Sequence, residues 1–199
     1  GAPLKPARYR WSWRKRAVED SANNLTNLLH LVEAVNTTGG TYGPRVFSTV
    51  DVDQWMRTFA FQRIVGNWDS YGMGRGKNMY AYKRDGMTWK LFSWDVDFAL
   101  DSGGAGPTDG LWGAGDPVIN RMFDDPAMRR RLWQAYRDAT EGPLLPERVA
   151  AEADSRAEVL RNNGVLPEDA TFNKVANVML GTTANVNAAG AEQTSETVA

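Results

Sequence analysis

Asp69, Asn78 and Asp95 are spaced so that a single β-hairpin would bring them to one end of itself. The stretch reads Asn67-Trp68-Asp69, then a glycine-rich run through Gly72, Gly74 and Gly76, then Lys77-Asn78-Met79-Tyr80-Ala81-Tyr82. A turn at Arg84-Asp85-Gly86 leads into Trp89-Lys90-Leu91-Phe92-Ser93-Trp94-Asp95-Val96-Asp97. Asn78 begins the first strand and Asp95 ends the second, so an oxygen from each can reach one cation at ~2.1 Å, the Mg²⁺ distance. Asp97, two residues beyond Asp95, would face the same side and take a second ion or a coordinated water. Hard oxygen ligands together with a proton acceptor are what Mg²⁺-dependent phosphoryl transfer requires. Trp68 and Trp94, next to these acids, are expected to limit water and keep the local dielectric low.

Each of these residues also has a plainer reading, because Asp and Asn are frequent in turns, where their side chains cap backbone groups. Asp51, Asp53, Asp85, Asp101, Asp109, Asp124 and Asp125 are assigned to caps, turns or solvent, and the tyrosines and tryptophans of the hairpin to core. The Gly72, Gly74, Gly76 run invites a phosphate cradle but lacks the nucleotide-loop spacing. His30 lies within a leucine-rich helix and reads as structural, and Arg129-Arg130-Arg131 as a solvated helix face.

The elements that must position the site are mostly helical. Residues 21–35 place Leu25, Leu28, Leu29 and Val32 on one face, and Asn36-Thr37-Thr38-Gly39-Gly40 ends that helix. Val50-Asp51-Val52-Asp53 opens the next, its acids suited to a positive helix N-terminus, with Trp55, Phe59 and Ile64 burying a face before Gly66. Asp69 thus falls on a loop held by a packed helix, where functional side chains tend to lie. The hairpin occupies residues 78–94 with Asp85-Gly86 as its turn, and a glycine-rich loop covers 102–115. A short element spans 118–123, and Pro126 opens a helix to 139 with Met128, Leu132 and Tyr136 on one stripe. Further helices are expected over 147–161 and 171–180. Residues 181–199 have almost nothing to bury and read as a disordered tail.

Composition excludes several classes. A formal charge of −1 provides no global field for nucleic acid or an anionic membrane. The absence of cysteine removes disulfides, thiolate catalysis and cysteine-ligated zinc. No apolar run approaches the ~20 residues of a membrane span. The basic, aromatic segment from Tyr9 to Arg16 has the ingredients for phosphate contacts and stacking, but reads better as a joining segment whose aromatics pack against something outside this chain. Gly1-Ala2-Pro3-Leu4 lacks an initiator methionine and no signal-peptide pattern follows, so a processed, excised or truncated sequence is expected.

Taken together, Asn67-Trp68-Asp69, Lys77-Asn78-Met79-Tyr80-Ala81-Tyr82 and the run from Trp89 to Asp97 resemble the core of the CotH family, atypical protein kinases of spore coats and secreted proteins. The Val52-Asp53-Gln54-Trp55 helix and Asn120-Arg121-Met122-Phe123 are similar too, so the resemblance covers about residues 45 to 165. It implies an α+β fold, a mainly helical protein-kinase-like C-lobe with a small β-hairpin carrying the active-site loops. Asp69 would be the catalytic aspartate that orients the acceptor hydroxyl and takes its proton. Asn78 and Asp95 would hold metal, Asp97 would be a second acidic neighbour, and Lys77 would either contact phosphate oxygens or face solvent. Ser93 stands where the family often has proline, a departure expected to matter little.

The implied activity is transfer of the γ-phosphoryl group of ATP to Ser or Thr of a protein substrate, with Mg²⁺ or Mn²⁺, in an extracellular, cell-surface or spore-coat setting, with neither nucleic acid nor a membrane span involved. Too few residues precede the first helix for a β-rich N-terminal lobe. Residues 1–20 are therefore expected to join lobes, 21–180 to form the C-lobe and 181–199 the tail, and this piece alone to bind ATP poorly. Two alternatives stand beside it: a secreted non-catalytic binding or structural module whose aromatics engage polysaccharide or cell-wall partners, and a metal-dependent phosphohydrolase acting on water.

Overall fold

The computed structural model describes residues 7, 9–10, 13–16, 21–73, 76–96, 99, 110–111, 115–165, 184–186 and 192–194. The helix expected over 171–180, most of the 102–115 loop, Asp97, Asp101 and Asp109 lie outside the described residues. What is described is a mainly helical α+β arrangement with a small antiparallel hairpin laid on it.

Helix α1 (Thr26–Asn36) buries Leu28, Leu31, Ala34 and Val35, with Leu25 buried just before it. The buried stripe is therefore Leu28-Leu31-Val35, and the expected Leu29 and Val32 lie at its edge. Helix α2 (Tyr42–Thr49) was not anticipated, because Gly43 and Pro44 argue against a helix there. Both sit in its first turn, where proline's missing N–H has no intrahelical partner to lose. Its Tyr42 and Val46, one turn apart, are buried.

Helix α3 (Val52–Ile64) begins at Asp51, whose carboxylate accepts the Gln54 N–H at 3.1 Å as an N-cap. It buries Trp55, Met56, Phe59 and Ala60. Strands β1 (Met79–Tyr82) and β2 (Lys90–Ser93) pair antiparallel, Met79 opposite Ser93 and Tyr82 opposite Lys90. Gly86, at φ 72°, makes the turn between them where the Asp85-Gly86 signal lies.

Helices α4 (Pro117–Asp124) and α5 (Pro126–Thr140) each start with proline, after Asp116 and Asp125, whose carboxylates cap their first N–H groups. The expected stripe Met128, Leu132 and Tyr136 is buried on α5 and packs against α3. Phe59 meets Trp55 and Phe123 edge to face at 6.0 and 5.6 Å, tying α3 to α4. Helix α6 (Pro146–Asn162) buries only Ala157. Within the C-terminal stretch, β3 (Ala184–Val186) and β4 (Glu192–Thr194) pair with each other.

The hairpin is anchored through β2. Trp89 accepts the Asp51 N–H and donates to Thr49, each at 2.9 Å, forming a parallel bridge to Val50. The Gln54 side chain extends this edge: its Oε1 accepts the Leu91 N–H at 2.8 Å, and its Nε2 donates to the Leu91 carbonyl. Tyr9 and Trp13 are half-buried against the main core.

Candidate active site

Asp69 lies in the loop that leaves α3. Gly66, at φ 63°, turns the chain, and the Asn67 N–H returns to the Gln62 carbonyl at 2.9 Å. Asp69 is 5% exposed although it is a carboxylate, so it needs partners. It has two. Lys77 Nζ stands 2.7 Å from Oδ2, and Asn78 Nδ2 donates to Oδ2 at 3.1 Å and to the Asp69 main-chain carbonyl at 2.8 Å.

A main-chain bond across the glycine-rich run makes these contacts possible. The Tyr71 N–H donates to the Lys77 carbonyl at 2.9 Å, which brings Lys77 and Asn78 back over the aspartate. Gly72 holds φ 103° against the Phe59 ring, where a Cβ would come within 2.6 Å of Phe59 Cδ1. That close approach, not a phosphate cradle, accounts for this glycine.

Asp95 is placed by the ladder. The Trp94 N–H donates to the Asn78 carbonyl at 3.1 Å, so Asp95 follows directly on the residue bonded to Asn78. Asn78 and Asp95 are the described non-glycine residues in the left-handed region, at φ 58° and 56°. Asn and Asp tolerate that region best, and its occupation by both at the open end of one hairpin marks a site where backbone strain is held in place.

The structure thus brings Asp69, Asn78 and Lys77 into direct contact and sets the exposed Asp95 beside Asn78 along the ladder. No side-chain hydrogen bond or ion pair joins Asp95 to Asp69 among the described residues, and no group of three His, Cys, Asp or Glu there could hold a metal by itself. Asp97, expected to share the cation, lies outside the described residues.

Two expectations about the aromatics are corrected. Tyr80, Tyr82 and Trp94 are exposed rather than core, and Phe92 is exposed with them, because strand alternation turns Met79, Ala81 and Leu91 inward and these four outward. Tyr80 and Trp94 meet at 5.4 Å, Tyr82 and Phe92 at 6.5 Å. Trp94 is 57% exposed and does not shield the acids from water.

The sequence reading also missed a buried polar chain behind the loop. Gln62 Nε2 donates to Ser93 Oγ at 3.0 Å, Gln62 Oε1 accepts from Asn67 Nδ2 at 2.7 Å, and Ser70 Oγ donates to the Asn67 carbonyl at 2.7 Å. Ser93, expected to matter little, is the far anchor of this chain. The available signal was a glutamine three residues after Phe59, on the apolar side of α3.

A family model described as CotH kinase protein matches residues 2–192, a longer span than the 45–165 of the sequence resemblance. Comparison with curated proteins and with solved structures found no match. A match that runs nearly the whole chain, and includes the loop and hairpin just described, makes this chain a member of the CotH kinase family.

Proposed function

We propose that this chain carries the acceptor- and metal-binding side of a CotH-type phosphotransferase that moves the γ-phosphoryl group of ATP to Ser or Thr hydroxyls of a protein substrate. In this reading residues 21–180 form the kinase-like C-lobe, and the setting is extracellular, cell-surface or spore coat. One observation carries it: Asn78 spends its amide nitrogen on both the main chain and the carboxylate of Asp69, leaving Oδ1 without a hydrogen bond among the described residues.

That arrangement suits a hard cation beside a proton acceptor. Asn78 and Asp95 would hold Mg²⁺ or Mn²⁺, with Asp97 as a third donor. When bound, the cation would neutralise charge on the phosphate oxygens. The chain's own residues do the rest. Asp69, fixed from two sides, orients the acceptor hydroxyl and takes its proton. Lys77, paired to Asp69 yet largely exposed, would contact a phosphate oxygen.

Transfer of γ-labelled phosphate to a Ser/Thr protein substrate tests this. Asp69→Asn and Asp95→Asn should each lower transfer at least ~100-fold, about 3 kcal/mol of barrier. Normal transfer by both variants would overturn the assignment. Labelled phosphate released to water, with no labelled protein, would instead indicate a phosphohydrolase.

The exposed strip of Tyr80, Tyr82, Phe92 and Trp94 favours a second reading, a binding module for polysaccharide or cell-wall partners. Binding of such polymers that survives Asp95→Asn, with no Mn²⁺-dependent thermal shift in the presence of nucleotide, would support it.

A further inference from the structure

Gln62 occupies a position on α3 whose helical neighbours toward the core, Trp55 and Phe59, are apolar, yet it carries an amide that is 1% exposed. A buried amide persists where both of its ends are hydrogen-bonded, and here both are. Its nitrogen holds Ser93, two residues before Asp95, and its oxygen holds Asn67, two residues before Asp69. The main-chain carbonyl of Gln62 also accepts the Asn67 N–H at 2.9 Å, so the loop is gripped twice at one point. Asn67 and Ser70 are fully buried and bonded to each other, which makes residues 67–70 a seated unit rather than a free loop. On the other side, Thr58 and Gln54 secure β2 at Leu91, and Gln62 is the next tie along the strand toward Asp95.

We propose that Gln62 is a positioning residue that sets the separation of Asp69 and Asp95, one rigid amide holding the loop of the first and the strand of the second. This rests on the assignment of those two aspartates to phosphoryl transfer. Groups that share a cation and an acceptor must be held to a fraction of an ångström by residues whose own geometry is locked. An apolar side chain of similar size would fill the space under the loop but would leave Asn67 and Ser93 free to move independently.

The test uses the full chain with Gln62→Met, Ser93→Ala, the double variant and Ser93→Thr, which restores a hydroxyl. Amide hydrogen exchange at Asn67, Tyr71 and Trp94 is followed by NMR, Mn²⁺ binding by tryptophan fluorescence, and transfer by label. Gln62→Met and Ser93→Ala should each speed exchange at Asn67 and Trp94 together by about ten-fold, with core amides such as Leu132 unchanged. Both should raise the half-saturating Mn²⁺ concentration several-fold and lower kcat while leaving KM for ATP in place. The double variant should be no worse than Gln62→Met alone, and Ser93→Thr should match the unmodified chain.

Unchanged exchange at Trp94, additive effects in the double variant, or a uniform rise across the core would overturn the proposal. If Gln62→Met does not fold, Ser93→Ala and Ser93→Thr decide the same question. A chain that does not bind Mn²⁺ would sink the metal-site assignment of Asn78 and Asp95, while exchange still reports whether Gln62 couples the two segments.

Discussion

At Asn78 and Asp95, side-chain chemistry and backbone conformation cannot be varied independently. Both residues hold positive φ, which a residue such as alanine adopts at a cost of about 1 kcal/mol or more. Asp95→Asn keeps the short polar side chain that tolerates this region, so its urea-unfolding free energy should stay within about 0.5 kcal/mol of the parent while transfer collapses. Asp95→Ala should lose about 1 kcal/mol in addition, and Asp95→Gly should recover it. The residue types were legible in the sequence, and so was the pairing of Asn78 with the Asp69 loop. Lys77 was anticipated as a phosphate contact or a solvent-facing side chain, because nothing in its position reveals that the loop from Tyr71 closes onto it. Gln62 was overlooked because a single glutamine in a helix is normally solvated, and only the fold shows which side of α3 it occupies.

Among the elements, helix α3 does the most to place the site. It presents Phe59 to the loop at Gly72, Gln62 to Asn67, and Gln54 to β2. Gly72→Ala would force a Cβ into the Phe59 ring at a φ that alanine resists, so it should destabilise by about 2 kcal/mol or more, read from the denaturation midpoint. Loosening the loop in this way should also reduce transfer, whereas Gly76→Ala, with nothing within 4 Å of its Cβ, should leave both nearly unchanged. Periodic helices were readable in advance, as Met128, Leu132 and Tyr136 show, and so was the hairpin with its Asp85-Gly86 turn. Helix α2 was hidden by Gly43 and Pro44. The outward face of the hairpin was misread because aromatic strands usually bury, and only the register against Leu91 decides which side they take.

For the molecule as a whole, burial sets the ionisation of three tyrosines. Burial pushes the Tyr42 phenol up to about 12, with Arg121 opposing and Asp125 adding. Burial raises Tyr71 further, with Asp116 adding, and raises Tyr136 against the lowering effect of Arg63. In the unfolded chain tyrosine ionises near pH ~10. Above that pH the unfolded state binds fewer protons than the folded state, so stability falls as pH rises. The stabilisation is complete below pH ~10 and, for Tyr42, is lost up to about 12. Thermal melts should therefore drop steeply over that window. Tyr42→Phe should flatten the drop and cost nothing at neutral pH, because the buried Tyr42 hydroxyl has no hydrogen-bond partner among the described residues.

The stitching of β2 to residues 49–54 has a bearing on how the chain reaches this state. Two strands of four residues are too short to hold themselves together in water. The second of them finds its other edge in Thr49, Asp51 and the Gln54 amide, nearly 40 positions earlier in the chain. Closure of that long loop must precede any lasting pairing of Met79 with Ser93, so the ribbon and the acids at its open end order late. The candidate site would then assemble with global folding rather than before it, and a nascent polypeptide would carry no half-formed version of it.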